Sequence, residues 1–280
     1  MVDVAAVVAA ACQRVVSGVS AVPGGDICRA WQVALGDGRT VFAKTLTGVP
    51  DILGAEARSL AWLADGGAPV PAVLGVRDDV LVLDWLPAGT PSVAAADRLG
   101  RSLAATHASG ADGFGAPWPG FAGRLRLSNE PAADWAEFFA ATRLLPLVRQ
   151  ALDDGALDSD EASLLDRVAR RLAEHAGPPE PPARLHGDLW SGNLLWSGER
   201  AWLVDPAAYG GHRETDLAML DLFGAPYLDR IVAAYDEVQP LAAGWRDRVG
   251  LHQLHPLLAH AVMFGGRYGA RAADVARRYA

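Results

Sequence analysis

Between Leu185 and Asp205 the chain reads LHGDLWSGNLLWSGERAWLVD. Asp188 follows His186 and Gly187, Asn193 comes five residues after it, and Asp205 closes the apolar run Ala201-Trp202-Leu203-Val204. These residue types at these intervals suit phosphoryl transfer. An ionised Asp188 can take the proton from an attacking hydroxyl. Asn193 offers a neutral oxygen that binds Mg²⁺ without adding charge repulsion, and Asp205, at a strand end, supplies the anionic ligand. His-Gly-Asp alone would be an ordinary turn before a hairpin. The common register of Asp188, Asn193 and Asp205 carries the reading.

The elements that must position such a centre can be sought upstream. Pro23-Gly24-Gly25-Asp26 is a glycine-rich turn whose backbone N–H groups could approach phosphates. Alternating apolar residues over Ile27 to Leu35, the turn Gly36-Asp37-Gly38 and the run Val41-Phe42-Ala43-Lys44 predict a β-hairpin. A helix is expected over 51–64, with Leu53, Ala57, Leu60 and Ala61 on one face and Glu56 among them. A strand Lys paired with a Glu on the next helix holds nucleotide phosphates in kinase-like folds, which marks Lys44 and Glu56. Val80 to Leu86 is too apolar to be half exposed and predicts a central strand. Pro87-Ala88-Gly89 breaks it, so the main chain of Asp84, Trp85 and Leu86 becomes a candidate hinge that meets an adenine edge. His-Gly-Asp in place of the protein-kinase His-Arg-Asp, and Asp205-Pro206 in place of Asp-Phe-Gly, favour a small-molecule kinase.

The remainder is predicted helical. Helices are expected over 94–109, with His107 in the last turn complementing the helix dipole, over 134–152, and from a capping box at Asp158-Ser159-Asp160-Glu161. Residues 111–130 form a long loop, a length that usually marks function. Asp216 is expected near a helix start, bracing the Asp188 loop through backbone N–H groups. His252, His255 and His260 have no acidic or cysteine partner at a metal-binding spacing and read as core or surface residues.

With 280 residues, 51% hydrophobic and 21% charged, the chain is globular and long enough for two lobes. A net charge of −8 disfavours nucleic acid and anionic membrane as partners. Two cysteines, Cys12 and Cys28, make no disulfide framework and fit a reducing, cytoplasmic setting. Residues 2–12 carry Asp3 and no basic group, so they read as the start of an amphipathic helix that ends at Gly18, not as a leader. No apolar run is long enough to span a membrane.

LHGDLWSGN, DPAAYGGHRETDLAM, DWAEFF and FGGRY, spread over 134–268, resemble the fructosamine kinase (ketosamine-3-kinase) family within the aminoglycoside-phosphotransferase-like branch of the kinase fold. The resemblance runs from about Gly24 to Arg267. It implies an α+β, two-lobed, protein-kinase-like fold, with a small β-rich nucleotide-binding lobe over 1–86 and a larger helical lobe over 87–280. It implies transfer of the ATP γ-phosphate to a sugar hydroxyl of a ketosamine, with Asp188 as base, Asn193 and Asp205 on Mg²⁺, and Lys44 with Glu56 behind the phosphates. Trp190 matches an aromatic beside the sugar. Gly120 to Asn129 departs from the family pattern: Arg126-Leu127 stands where a Pro-Gln pair is usual, which marks Arg126 and Asn129 on the acceptor side. An inward Arg126 would favour carboxylate-bearing ketosamines over cationic acceptors. The other readings are a kinase of another hydroxylated amine, such as an aminoglycoside or amino sugar, and a nucleotide-binding pseudokinase. Intact Lys44, Asp188, Asn193 and Asp205 argue against the last.

Overall fold

Two short apolar faces start the chain. The computed structural model describes residues 3–23, 27–49 and 51–280; the turn glycines Gly24 and Gly25 lie outside them. Helix α1 (Val4–Cys12) is capped by Asp3, whose side chain accepts from Ala6 N, and buries Val4 and Val8. It stops earlier than the spacing predicts. Gln13 turns left-handed at φ 54°, and the β-branched residues beyond it form strand β1 (Val16–Val22). Gly18 is thus a strand residue, beside the register shift between Val16 and Gly18, and does not end a helix.

Strands β2 (Arg29–Leu35) and β3 (Thr40–Thr45) follow, then helix α2 (Ile52–Asp65) and strands β4 (Val73–Arg77) and β5 (Val80–Asp84). They form one antiparallel sheet in the order β1-β2-β3-β5-β4. The strand predicted to be central is internal. Its alternate residues serve two cores, which explains the unbroken apolar run. Val80 and Val82 join Val33, Val41 and Ala43 under α1. Leu81 and Leu83 face α2, against Leu53, Leu60 and Leu63.

The chain leaves the sheet after Asp84 and enters helix α3 at Val93 (Val93–Ala108). The expected lobe division at 86/87 falls in this connecting segment. The long segment that follows contains a small hairpin, β6 (Gly120–Ala122) with β7 (Leu125–Leu127), which its sequence did not announce. The helix expected over 134–152 is interrupted. It runs as α4 (Trp135–Phe139), a π-helical turn over Ala140–Leu144, and α5 (Leu145–Asp153). Helix α6 (Ser159–Arg170) starts with the predicted capping box, Asp158 and Glu161 satisfying each other's backbone.

Strand β8 (Ala183–Leu185) delivers the His186-Gly187-Asp188 turn. Hairpin β9 (Leu194–Ser197) and β10 (Arg200–Leu203) comes next, then β11 (Tyr209–Gly211), which pairs back onto β8. Helices α7 (Glu214–Leu222), α8 (Leu228–Val238), α9 (Trp245–Phe264) and α10 (Tyr268–Ala276) complete the larger lobe. The lobes share a core: Leu60, Leu63 and Leu83 pack in one cluster with Leu99, Leu103, Leu189, Leu203, Leu217 and Tyr235. Each such fully buried leucine contributes about 1.5–3 kcal/mol of burial. A backbone bond from Leu203 N to Pro69 O (2.8 Å) ties the hairpin to the sheet lobe, and one from Gly89 N to Trp196 O (2.6 Å) ties it to the connecting segment.

Candidate active site

Antiparallel pairing fixes the reactive turn. Tyr209 of β11 stands opposite Leu185, so the chain leaves β8 into the turn beside the segment that follows Asp205. Gly187 has φ +81°, and a Cβ there would lie 2.2 Å from Ala207 O. Only glycine fits this close approach. Ala207 N donates to His186 O at 3.0 Å, closing the turn.

His186 is fully buried. Its Nδ1 accepts from Asp188 N (3.2 Å), so the proton sits on Nε2, which donates to Val204 O at 3.0 Å. Burial pushes its basicity down, outweighing nearby Asp216. A neutral imidazole thus ties the Asp188 turn to the residue before Asp205.

Asp216, in the first turn of α7, accepts from His186 N (2.7 Å) and Gly187 N (3.0 Å). Its Oδ2 also meets His107 Nε2 at 3.1 Å, and His107 Nδ1 lies 2.9 Å from the Tyr235 hydroxyl. Burial alone would raise the Asp216 carboxyl, but His107 and the His186 donor hold it below the usual range. His107 is therefore a support beneath the turn, a role its place at a helix end did not reveal. Asp216→Asn would set an amide N–H₂ against these donors. We expect a loss of about 3 kcal/mol in urea unfolding at neutral pH. A lowered carboxyl stabilises above the unfolded carboxylate range and loses that contribution as pH falls. The gap to wild type should therefore shrink in acid.

Asn193 Nδ2 donates to Asp188 O (2.8 Å) and to Asp188 Oδ2 (3.0 Å). This leaves the Asn193 amide oxygen and Asp188 Oδ1 without hydrogen-bond partners among the described residues. The hairpin brings Asn193 to Asp205, because Val204 N donates to Asn193 O at 3.1 Å. Asp205 itself is left-handed at φ 58°. Its carboxylate is half exposed and meets Lys44 Nζ at 2.5 Å, and the same Nζ meets Glu56 Oε1 at 2.7 Å. Burial would lower the Lys44 basicity, but the two carboxylates outweigh it and keep the ammonium charged. Asp188 is largely enclosed, and burial pushes its carboxyl up to about 7 against the Asn193 amide. A base titrating near neutrality suits abstraction of a hydroxyl proton.

The other predicted residues divide. Trp85 packs 6.4 Å from the Phe42 ring, at the edge where Asp84 and Leu86 leave β5. Trp190 is 37% exposed and begins an aromatic row that sequence reasoning did not assemble: Trp190 to Phe223 at 5.7 Å, Phe223 to His260 at 5.1 Å, His260 to Phe264 at 5.5 Å. Asn129 is turned inward. Its amide donates to Trp118 O (2.9 Å) and accepts from Arg143 Nη2 (2.6 Å), so it holds the loop. Arg126 is mostly exposed and lies 3.9 Å from Asp51 Oδ2, which offsets its charge.

The histidine reading needs one correction. Glu214 joins His252 and His212, all within 4.8 Å, so an acidic neighbour exists that the spacing concealed. Arg248 takes both Glu214 oxygens, at 2.9 and 2.6 Å, and neutralises the carboxylate a cation would need. Glu214 and Arg248 form a buried ion pair between α7 and α9, with the two histidines beside it. A cavity of about 690 Å³ lined by Asp221, Asp229, Asp236, Trp245 and Arg246 shares no residue with the Asp188 constellation.

The sheet lobe, the helical lobe and the carboxylate–amide–carboxylate set between them define a protein-kinase-like phosphotransferase. The fold is that of the aminoglycoside phosphotransferase APH(4)-Ia, with TM-score 0.66 at 18% identity over 100% of this chain and 99% of that one. The particular family follows from the sequence itself: a model described as "Fructosamine kinase" matches residues 2–279, and the chain belongs to that family. It is 47% identical to a candidate fructosamine-3-kinase from Thermobifida fusca, with TM-score 0.95 over 99% of this chain and 98% of that one. It is 35% identical over 245 residues to a probable ketoamine kinase of Thermus thermophilus, covering 88% of this chain and 87% of the relative. Membership makes the chain an ATP-using small-molecule kinase. No helix of the described residues is long and apolar enough to cross a membrane.

Proposed function

We propose that the protein phosphorylates a sugar hydroxyl of small ketosamines with ATP, working in the cytoplasm. The observation that carries this is the convergence of Asp188, Asn193, Asp205, Lys44 and Glu56 between two lobes of a fructosamine kinase family member. Asp188 Oδ1 accepts the proton of the acceptor hydroxyl, while the Asn193 amide fixes Oδ2. Lys44, steadied by Glu56, neutralises phosphate charge. The free amide oxygen of Asn193 and the Asp205 carboxylate are hard oxygen donors, which fit Mg²⁺. When bound, that ion neutralises charge on the transferring phosphoryl group. The fold likeness to aminoglycoside phosphotransferases is one of fold alone and does not favour an aminoglycoside as acceptor.

The indole of Trp190, two residues past the base, gives the sugar's C–H face an apolar wall. Trp190→Ala is expected to lower kcat/KM for the acceptor by about tenfold while ATP affinity stays near wild type. The acceptor is tested by steady-state kinetics on a fructosyl-amino acid and on an aminoglycoside. Higher kcat/KM on the aminoglycoside would overturn the ketosamine reading.

A further inference from the structure

Among the described residues Arg143 is the largest side chain that is almost fully buried, at 1% exposure. Among the described residues no carboxylate pairs with it. Its guanidinium lies over the rings of Tyr209 (4.3 Å) and Phe138 (4.9 Å). Nη1 donates to Ser128 O at 2.5 Å, and Nη2 donates to Asn129 Oδ1 at 2.6 Å. Burying a lone cation is costly, and two carbonyl oxygens from one loop, the Thr142 hydroxyl (3.2 Å from Nη1) and two aromatic faces offset part of that cost, while Nε is left without a hydrogen-bond partner. The helix makes room for it by a π turn over Ala140–Leu144. The extra residue in such a turn redirects a side chain, and π turns recur at functional sites.

We propose that Arg143 is a positioning residue for the phosphoryl acceptor, fixing the 111–130 loop against the segment that follows Asp205. The chain of bonds is continuous. From Arg143 it passes to Asn129, whose Nδ2 donates to Trp118 O at 2.9 Å. The Trp118 indole N–H donates to Ala208 O at 3.1 Å. Ala208 N in turn donates to Ser59 Oγ at 3.2 Å, on the helix that carries Glu56. A second connection is made by Tyr209 itself, which lies under the guanidinium and pairs with Leu185 at the entrance to the Asp188 turn.

The loop so held carries the β6–β7 hairpin out to Ile27 and Met263. At Gly123, the tip of the β6–β7 hairpin, φ is +59°, and a Cβ would lie 2.8 Å from Ile27 Cδ1 and 2.9 Å from Met263 Sδ. Arg124 Nη2 contacts Ile27 O at 3.5 Å. The hairpin thus touches Ile27, just before β2, on one side and, on the other, the residue next to Phe264 in the row that begins at Trp190. An acceptor between Trp190 and Asp188 has this hairpin as its outer wall. Loosening the root at Arg143 would move that wall, while the direct contacts of Lys44 with Glu56 and Asp205, to which Arg143 does not contribute, stay in place.

The inference rests on the ketosamine reading only for the identity of the acceptor. The test therefore uses whichever acceptor of the panel the wild type turns over, and failure to use ketosamines would be seen first, in wild type. Two substitutions break the chain at separate bonds. Arg143→Lys keeps the charge but loses the fork, and Trp118→Phe keeps a ring beside Trp62 but loses the N–H to Ala208. Each is expected to raise the acceptor KM by about tenfold, with the ATP KM unchanged. Because both act on one loop, the double variant should fall well short of the product of the two effects. Unchanged acceptor KM in both, ATP KM rising in parallel, or fully multiplicative effects would overturn the proposal. If Arg143→Lys fails to fold, Asn129→Leu replaces it in the cycle, with the same outcomes read.

Discussion

Asp188→Asn is expected to fold, to bind ATP as wild type does, and to lose phosphoryl transfer by about 10²–10⁴-fold, the range for a positioned general base. The amide retains the shape of the carboxylate and its contact with Asn193, but it has no lone pair basic enough to take the acceptor proton. The same variant should be more stable than wild type at pH 8. Burial raises the Asp188 carboxyl to about 7, so the ionised form is less favourable in the folded state than in the unfolded chain. A folded-state value raised above the unfolded one stabilises below the unfolded range, and the benefit is lost as pH rises towards 7. Thermal unfolding of both proteins at pH 8 and pH 4 measures this directly, with the gain at pH 8 disappearing at pH 4. In wild type, kcat/KM for the acceptor should fall on the acid side, because only ionised Asp188 accepts a proton. Near-full turnover in Asp188→Asn would show that some other group is the base.

Asp205→Ala should damage nucleotide binding more than any other change in the site. We expect Mg²⁺-dependent ATP affinity to fall by about 100-fold or more, against about tenfold for Asn193→Ala, because the carboxylate brings charge that the amide lacks. Two further consequences follow from the geometry. Lys44 loses one of its two carboxylate partners and keeps only Glu56. The left-handed backbone at position 205, φ 58°, is tolerated by Asp and costs Ala about 1–2 kcal/mol. Asp205→Asn separates these effects: it keeps the backbone preference and removes only the charge. Calorimetric titration of ATP with and without Mg²⁺ distinguishes metal-dependent from metal-independent binding. Equal metal dependence in Asp205→Ala and wild type would remove Asp205 from the metal site.

The chemistry-bearing stretch was legible because it is local. Asp188, Asn193 and Asp205 are brought together by one turn and one hairpin, and a hairpin can be read from Ser197-Gly198-Glu199 and the apolar runs beside it. Lys44 and Glu56 were legible for a similar reason, since a strand and the next helix lie between them. The resemblance to a kinase family supplied the relation between those two halves, which spacing alone does not contain. What supports the site was decided only in three dimensions. His107 meets Asp216 across 109 residues, and nothing in a helix-end histidine announces a carboxylate so far along the chain. The resemblance placed Asn129 on the acceptor side; its bond to Arg143 comes from a π turn, a backbone detail without a periodic signal. Glu214 reaches His252 because α7 packs on α9, and Arg248 then claims the carboxylate. In each case a buried polar group had to find a partner once water was excluded. Packing of distant elements, not residue order, determined which partner it found.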